Sequence, residues 1–196
     1  MLELARSEFI LGGQRSGKSR RAELIARQWL DASLDHRAVM IATAQPWDDE
    51  MRERIVRHQQ DRAERVPGMT TVEEPRALAQ AITREGGAQT LIVVDCLTLW
   101  LTNWLMPAES ADVYKQKEAV ALYPRAQAAM LLEAIQDSPG PLVLVGNEIG
   151  LGVIPMGRET RDFVDALGRL NQEVAQACER VTFMAAGLPL TLKGPT

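Results

Sequence analysis

Apolar residues follow two alternating patterns along this chain of 196 residues. Short apolar runs, several rich in β-branched side chains, predict buried strands at residues 9–11, 38–42, 91–94, 142–145, 181–185 and 188–192. Between most of these runs apolar residues recur at helical spacing, which predicts helices around residues 22–29, 78–82, 120–135 and 163–177. Uniformly apolar strands that alternate with helices are typical of a mainly parallel sheet covered by helices on both faces. We therefore predict one α/β domain spanning residues 1–196.

The first predicted strand runs directly into a glycine-rich turn and then into a helix. The turn fits the pattern G-x-x-x-x-G-K-[ST] with residues Gly12, Gly13, Gln14, Arg15, Ser16, Gly17, Lys18 and Ser19. Glycines let backbone N–H groups point at phosphate oxygens, and the following helix adds about half a positive charge. Lys18 adds a full charge near the β- and γ-phosphates, and the Ser19 hydroxyl is placed to ligate Mg²⁺. The motif predicts a P-loop NTPase-type domain that binds a nucleoside triphosphate.

The residues that follow the other strands are the next candidates, because open parallel sheets bind ligands outside the carboxyl ends of their strands. The run at 91–94 ends in Asp95, the form of a Walker B element, whose carboxylate can hold Mg²⁺ opposite Ser19. Strands also end in Asp for reasons of turn formation, but the phosphate loop favours the functional interpretation. Residues 147–155 contain two glycines and a polar pair, and form either a ligand-contacting loop or a long connection.

A further predicted helix opens at residues 48–50 and carries His58, one of two histidines in the chain. Most helical histidines are structural or solvated. A neutral imidazole, however, can attack phosphorus without the strong activation that a serine hydroxyl needs. The helix leaves the carboxyl end of the strand at 38–42, so it could bring His58 to the phosphates. The other histidine, His36, lies in a polar loop before that strand.

Composition and charge exclude several classes of protein. The chain is 46% hydrophobic and 24% charged, with a net charge of −4 and a pI near 5.3, so we expect a soluble globular protein without a broad surface for nucleic acid or anionic membranes. No apolar run is long enough to span a membrane, and the charged N-terminus is unlike a signal peptide, so we expect a cytoplasmic protein. Cys96 and Cys178 show no metal or redox spacing, and we expect reduced, partly buried thiols.

Several segments together resemble the bifunctional adenosylcobinamide kinase/adenosylcobinamide-phosphate guanylyltransferase family of cobalamin biosynthesis. The likeness covers nearly the whole chain and rests on residues 12–19, 41–45, 48–62, 94–103, 147–155 and 168–172. It implies a small-molecule corrinoid substrate and two reactions. In the first, ATP or GTP phosphorylates the hydroxyl group of adenosylcobinamide. In the second, a histidine attacks the α-phosphate of GTP, pyrophosphate leaves, and the corrinoid phosphate takes up the GMP from a histidine–GMP intermediate.

The resemblance also implies roles for particular residues. His58 is the implied nucleophile, because Arg57 stands where some members of the family carry a second histidine. The loop from Gly12 to Ser19 would hold the nucleotide phosphates, and Ser19 and Asp95 would ligate Mg²⁺. Further implied contacts to the nucleotide are Thr43, Ala44, Gln45, Gln59, Gln60, Asp61, Arg62, Glu73 and Asp95.

The family tends to form homotrimers with the site near a subunit boundary. A boundary of this kind would explain the apolar residues Trp100, Leu101 and 104–106, although burial within one subunit explains them as well. Two other functions also remain open at this point. One is a P-loop kinase for a small molecule with a single activity, and the other is a non-enzymatic GTP-dependent switch.

Overall fold

The computed structural model describes residues 4–46, 48–106, 117–153 and 155–194. Residue 154, which belongs to the segment 147–155, lies outside the described residues. The elements follow one another as β1 (Ser7–Gly12), α1 (Lys18–Ala32), β2 (Arg37–Ala42), α2 (Asp49–Arg65), β3 (Met69–Glu73), α3 (Leu78–Glu85), β4 (Thr90–Asp95), α4 (Leu97–Leu105), α5 (Lys117–Asp137), β5 (Leu142–Asn147), α6 (Arg158–Ala177), β6 (Arg180–Ala185) and β7 (Leu188–Lys193).

All seven strands form one sheet in the order β3-β2-β4-β5-β1-β6-β7. The first six strands of that order pair in parallel, and only β7 runs antiparallel to its neighbour β6. The register places Gly12 beside Asn147 and Ala42 beside Asp95. The carboxyl ends of β1, β5, β4 and β2 therefore meet at one edge of the sheet. The predicted α/β class with a mainly parallel sheet is confirmed.

Each face of the sheet is covered by its own hydrophobic cluster. Phe9 and Leu11 belong to the cluster under α3, α4, α5 and α6, whereas Ile10 lies between them on the opposite face. That second face packs against α1 through Ala22, Ile25 and Ala26. Successive side chains of a strand point to opposite faces, so strands buried on both sides have apolar residues at every position. The apolar runs in the sequence have this physical origin.

Two elements, β3 and α4, lack the signals that identify the others in the sequence. The strand β3 lies at the edge of the sheet and has the sequence MTTVE with mostly exposed side chains, so it shows no apolar run. The helix α4 begins two residues after Asp95, and its apolar residues continue those of β4 almost without a break. Trp100 and Leu101 of α4 are buried against the sheet, whereas Met106 after it is exposed. Burial within one subunit therefore accounts for the first two of these apolar residues.

The helices in the described part of the chain include none with both the length and the apolar character needed to cross a membrane.

Candidate functional site

The turn between β1 and α1 has backbone geometry that requires its first and last glycines. Gly12 has a φ of 153°, and a Cβ atom there would lie 2.5 Å from the carbonyl oxygen of Met184 on the neighbouring strand β6. Gly17 has a φ of 100° and precedes the first residue of α1. L-residues rarely adopt either conformation. Gly13, Gln14 and Arg15 between them are exposed. The strand, turn and helix thus have the arrangement expected of a phosphate-binding loop.

The variant Gly12→Ala is expected to lose about 2–3 kcal/mol of unfolding free energy. The added methyl group must displace the backbone of β6, and the alanine must adopt a strained φ. The matched variant is Gly168→Ala in α6, where a Cβ would meet nothing within 4 Å. Alanine in a helix is favoured over glycine, so this variant is expected to gain about 0.5–1 kcal/mol. Urea unfolding of both variants checks these signs, and equal stabilities would contradict the tight packing of Gly12.

Two side chains of the loop occupy defined positions. The Lys18 side chain is 8% exposed, and its Nζ donates to the carbonyl oxygen of Gly13 at 2.6 Å. The Ser19 hydroxyl donates to Oδ2 of Asp95 at 2.8 Å, across 76 positions of the sequence. The expected juxtaposition of the loop hydroxyl with the carboxylate at the end of β4 is thus present.

A hydroxyl and a carboxylate oxygen fit Mg²⁺, which takes few protein ligands and completes its octahedron with phosphate oxygens and water. No group of three or more His, Cys, Asp and Glu side chains suited to a metal ion occurs among the described residues.

Thr43, at the carboxyl end of β2, fixes the turn that follows Asp95. Its buried hydroxyl accepts from the backbone N–H of Cys96 at 2.9 Å and donates to the carbonyl oxygen of Cys96 at 2.7 Å. The carbonyl oxygen of Thr43 in turn accepts from Nδ2 of Asn103 at 2.8 Å. Ala44 and Gln45 follow, half-buried. In this structure Thr43 thus acts on the site through the position of the Asp95 backbone.

Asn103 is a buried polar residue, 1% exposed, to which no role was assigned from the sequence. Its Nδ2 donates both to Thr43 and to the carbonyl oxygen of Pro75 at 2.9 Å. An amide within the otherwise apolar helix α4 is the signal that could have identified it, because buried polar side chains are retained where they are hydrogen-bonded.

A second group of predicted residues lies where α2 contacts β3. Asp48 caps α2 by accepting from the backbone N–H of Met51 at 2.7 Å, as the acidic helix start predicts. Nε2 of Gln59 donates to Oε1 of Glu73 at 3.4 Å. Nη1 of Arg62 donates to the Thr71 hydroxyl at 3.1 Å.

Arg62 is the unusual member of this second group. Its side chain is 8% exposed, and its buried Nε has no hydrogen-bond partner in the structure. An unsatisfied charged N–H group is costly, so Arg62 is the least satisfied polar side chain of this second group. The other predicted residues of this helix turn are less constrained, since Asp61 pairs with Arg65 at 3.2 Å and Gln60 is exposed.

The two histidines have different surroundings. His36 stacks on Trp29 with ring centroids 3.5 Å apart, and its Nδ1 lies 2.7 Å from the carbonyl oxygen of Trp29. This residue holds α1 against the start of β2, at the amino end of the strand. His58 is exposed on α2, the helix that leaves the carboxyl end of β2. His58 is therefore the histidine that the fold leaves accessible.

The two cysteines are free and buried, as expected. Burial, with a contribution from the charge of Asp95, raises the pKa of the Cys96 thiol to about 12. Burial likewise raises the pKa of Cys178 to about 12. Both thiols are protonated at neutral pH, and a protonated thiol is a poor nucleophile. The nucleophile candidates at this site therefore do not include cysteine.

The glycine-bounded turn, its buried lysine and the hydroxyl–carboxylate pair define a P-loop nucleotide-binding protein. A sequence profile of the family described as cobinamide kinase / cobinamide phosphate guanyltransferase matches residues 8–192. The chain belongs to this family, so the family predicted from the sequence is confirmed.

Individual relatives align over almost their full length. The bifunctional adenosylcobalamin biosynthesis protein CobP of Pseudomonas aeruginosa is 46% identical over 188 residues, which cover 95% of this chain and 97% of the relative. The bifunctional adenosylcobalamin biosynthesis protein CobU of Escherichia coli is 34% identical over 191 residues, with coverages of 94% and 98%. CobU of Salmonella typhimurium is 35% identical over 188 residues, with the same coverages.

Proposed function

We propose that this protein phosphorylates the hydroxyl group of adenosylcobinamide and then transfers GMP from GTP to the resulting phosphate, through an intermediate on His58. The observation that carries the proposal is the hydrogen bond from Ser19 to Asp95 beside a turn with phosphate-loop geometry. The chain that contains it belongs to this family. The proposal takes residues 1–196 as one nucleotide-binding domain, supported by the single sheet to which all seven strands belong. We also propose that the protein is a homotrimer and that it is located in the cytoplasm.

In the kinase step, the loop from Gly12 to Ser19 holds the phosphates of ATP or GTP. Lys18 neutralises the charge of the β- and γ-phosphates. Ser19 with Asp95 would hold Mg²⁺, which would supply further positive charge. The acceptor hydroxyl attacks the γ-phosphorus and releases its proton to solvent. The bond from the γ-phosphorus to the bridging oxygen breaks, and the nucleoside diphosphate leaves with the electron pair. Phosphoryl transfer depends mainly on positioning and charge neutralisation, which are the properties that a rigid loop with one buried lysine supplies.

In the guanylyl step, a nitrogen of His58 attacks the α-phosphorus of GTP. The bond from the α-phosphorus to the bridging oxygen breaks, and pyrophosphate carries away the electron pair. A phosphate oxygen of the corrinoid then attacks the same phosphorus, and the imidazole leaves. A covalent intermediate divides one difficult transfer into two easier ones. We assign further nucleotide contacts to Thr43, Ala44, Gln45, Gln59, Gln60, Asp61, Arg62 and Glu73. The hydrogen bonds from Gln59 to Glu73 and from Arg62 to Thr71 support this assignment, because they bring these residues together where α2 contacts β3.

The test is incubation of the wild-type protein with GTP labelled at the α-phosphate, in the absence of any corrinoid. We expect covalent label that survives denaturation and alkali but is released by acid, as a phosphoramidate is. Mass spectrometry of the labelled peptide is expected to place a GMP group on His58, and GTP labelled at the γ-phosphate is expected to leave no label. A kinase with a single activity or a GTP-dependent switch would acquire no covalent label, and label on another residue would overturn the assignment.

A further inference from the structure

The loop between β5 and α6 exposes large apolar side chains to solvent. We call the described residues 148–153 and 155–157 the β5–α6 loop. The exposed fractions are 39% for Ile149, 76% for Leu151, 97% for Val153 and 96% for Met156. Single exposed apolar residues are ordinary on protein surfaces, but several within one short loop mark a site of interaction.

This loop begins at the phosphate loop. Asn147, the last residue of β5, lies beside Gly12 in the sheet, and the backbone N–H of Glu148 donates to the carbonyl oxygen of Gly12 at 3.1 Å. The start of the β5–α6 loop therefore lies next to the turn that binds phosphates.

The backbone of the loop is held at both ends. Nδ2 of Asn171 donates to the carbonyl oxygen of Asn147 at 3.1 Å. At the other end, Nη1 of Arg161 donates to the carbonyl oxygens of Pro155 at 3.1 Å and Met156 at 2.5 Å. The apolar side chains thus project from an anchored backbone, which lowers the entropy lost when a ligand binds.

The chemistry of the acceptor explains why such residues are needed here. The family description names cobinamide, whose corrin macrocycle bears methyl groups and amide side chains and is far larger than its reacting hydroxyl. When that hydroxyl reaches a phosphate at the loop from Gly12 to Ser19, most of the macrocycle must lie on the neighbouring surface. Methyl-rich edges are bound by apolar side chains, because binding removes both from water.

We infer that the β5–α6 loop binds the corrin ring of the acceptor through Ile149, Leu151, Val153 and Met156. This inference rests on the proposed function and adds the place of the second substrate. Exposed leucines also occur on β7, at positions 188, 190 and 192. That strand is separated from β1 by β6 and runs back towards the opposite edge of the sheet, so Leu190 and Leu192 extend away from the phosphates. Leu188 follows Gly187, whose backbone N–H donates to the carbonyl oxygen of Ser16 at 3.0 Å, so only the start of β7 lies near the phosphate loop.

The test compares the wild-type protein with the triple variant Leu151→Ser/Val153→Ser/Met156→Ser. Equilibrium dialysis with cobinamide, detected by its own visible absorption, is expected to show binding weakened by about tenfold or more, the range for removing apolar groups from a binding site. The KM for cobinamide in the kinase reaction is expected to rise in parallel. Labelling by GTP, which requires no corrinoid, is measured on the same samples to show that each is folded.

The matched control is Leu34→Ser. Leu34 is fully exposed in the turn between α1 and β2, at the amino edge of the sheet, so its substitution is expected to leave cobinamide binding unchanged. The single variant Val153→Ser provides a second measurement with no core packing to lose, and it is expected to weaken binding about twofold to threefold.

The outcomes separate this inference from the proposed function. Absence of GTP labelling and kinase activity in the wild type would overturn the proposed function. An active wild type together with a triple variant that binds cobinamide normally would overturn only the inference. Sedimentation of the triple variant as a smaller oligomer would show that the loop is a contact between subunits, and would also overturn it.

Discussion

The variant His58→Ala is expected to acquire no label from GTP and to transfer GMP at least about 10⁴-fold more slowly than the wild type, because removal of a catalytic nucleophile commonly costs this much or more. The methyl group of alanine cannot form the phosphoramidate. His58 is exposed, so its substitution removes little packing, and the unfolding free energy is expected to change by less than about 0.5 kcal/mol. Loss of activity with preserved stability is therefore the specific signature of a chemical role.

Two control variants test whether the effect belongs to this imidazole. Arg57→Ala changes the exposed neighbour on α2 and is expected to label normally. His36→Ala removes the other histidine and its stacking with Trp29, so it is expected to lose stability while retaining the label. Phosphorylation of the acceptor, followed with a γ-labelled nucleotide, is expected to persist in His58→Ala because the γ-phosphoryl group passes directly to the hydroxyl. Labelling that survives in His58→Ala would remove the nucleophile from the mechanism.

Most of the sheet was predictable because five of its seven strands are largely buried on both faces. The six apolar runs correspond to β1, β2, β4, β5, β6 and β7, with ends that differ by at most two residues. A parallel strand between two helical layers leaves little place for a polar side chain, so most of its sequence is an apolar run. The exception is β7, whose leucines are largely exposed although its sequence resembles a buried strand.

The strand β3 and the helix α4 were not predicted, and the reasons are opposite. The strand β3 has one neighbour in the sheet, so its threonines and glutamate remain in solvent and no apolar run forms. The helix α4 is so apolar that its residues do not show the polar face by which a helix is recognised. Edge position and a largely apolar helix both remove the contrast between apolar and polar positions on which periodicity depends.

The chemistry of the site was predictable only where a rule of the fold connects distant residues. Ser19 and Asp95 were expected to meet because both follow strands at the same edge of the sheet, and their contact confirms it. The hydrogen bonds from Thr43 to Cys96 and from Asn103 to Thr43 were not predictable. The first joins residues 53 positions apart and the second joins residues 60 positions apart. Both use ordinary polar side chains that belong to no recognisable motif.

Replacement of Lys18 by alanine is expected to lower kcat/KM for the nucleotide by about 10²–10³-fold, the usual cost of losing one preorganised charged donor. After the change, the phosphates lose the full positive charge of Lys18 and keep the backbone N–H groups and about half a charge from the start of α1. The variant loses the hydrogen bond to Gly13, so its unfolding free energy is expected to fall by only about 1 kcal/mol. Urea unfolding therefore distinguishes a damaged site from a damaged fold.

Arg20→Ala is the matched control, since it removes the same charge from the same helix at an exposed position. Its nucleotide kinetics are expected to stay within about twofold of the wild type, because exposed charges are screened by solvent and salt. The sequence contains one segment that fits the phosphate-loop pattern, and the proposed function uses this segment to hold the nucleotide in both reactions. Lys18→Ala should consequently slow phosphorylation and GTP labelling together. A loss confined to phosphorylation would mean that GTP is bound elsewhere when His58 reacts.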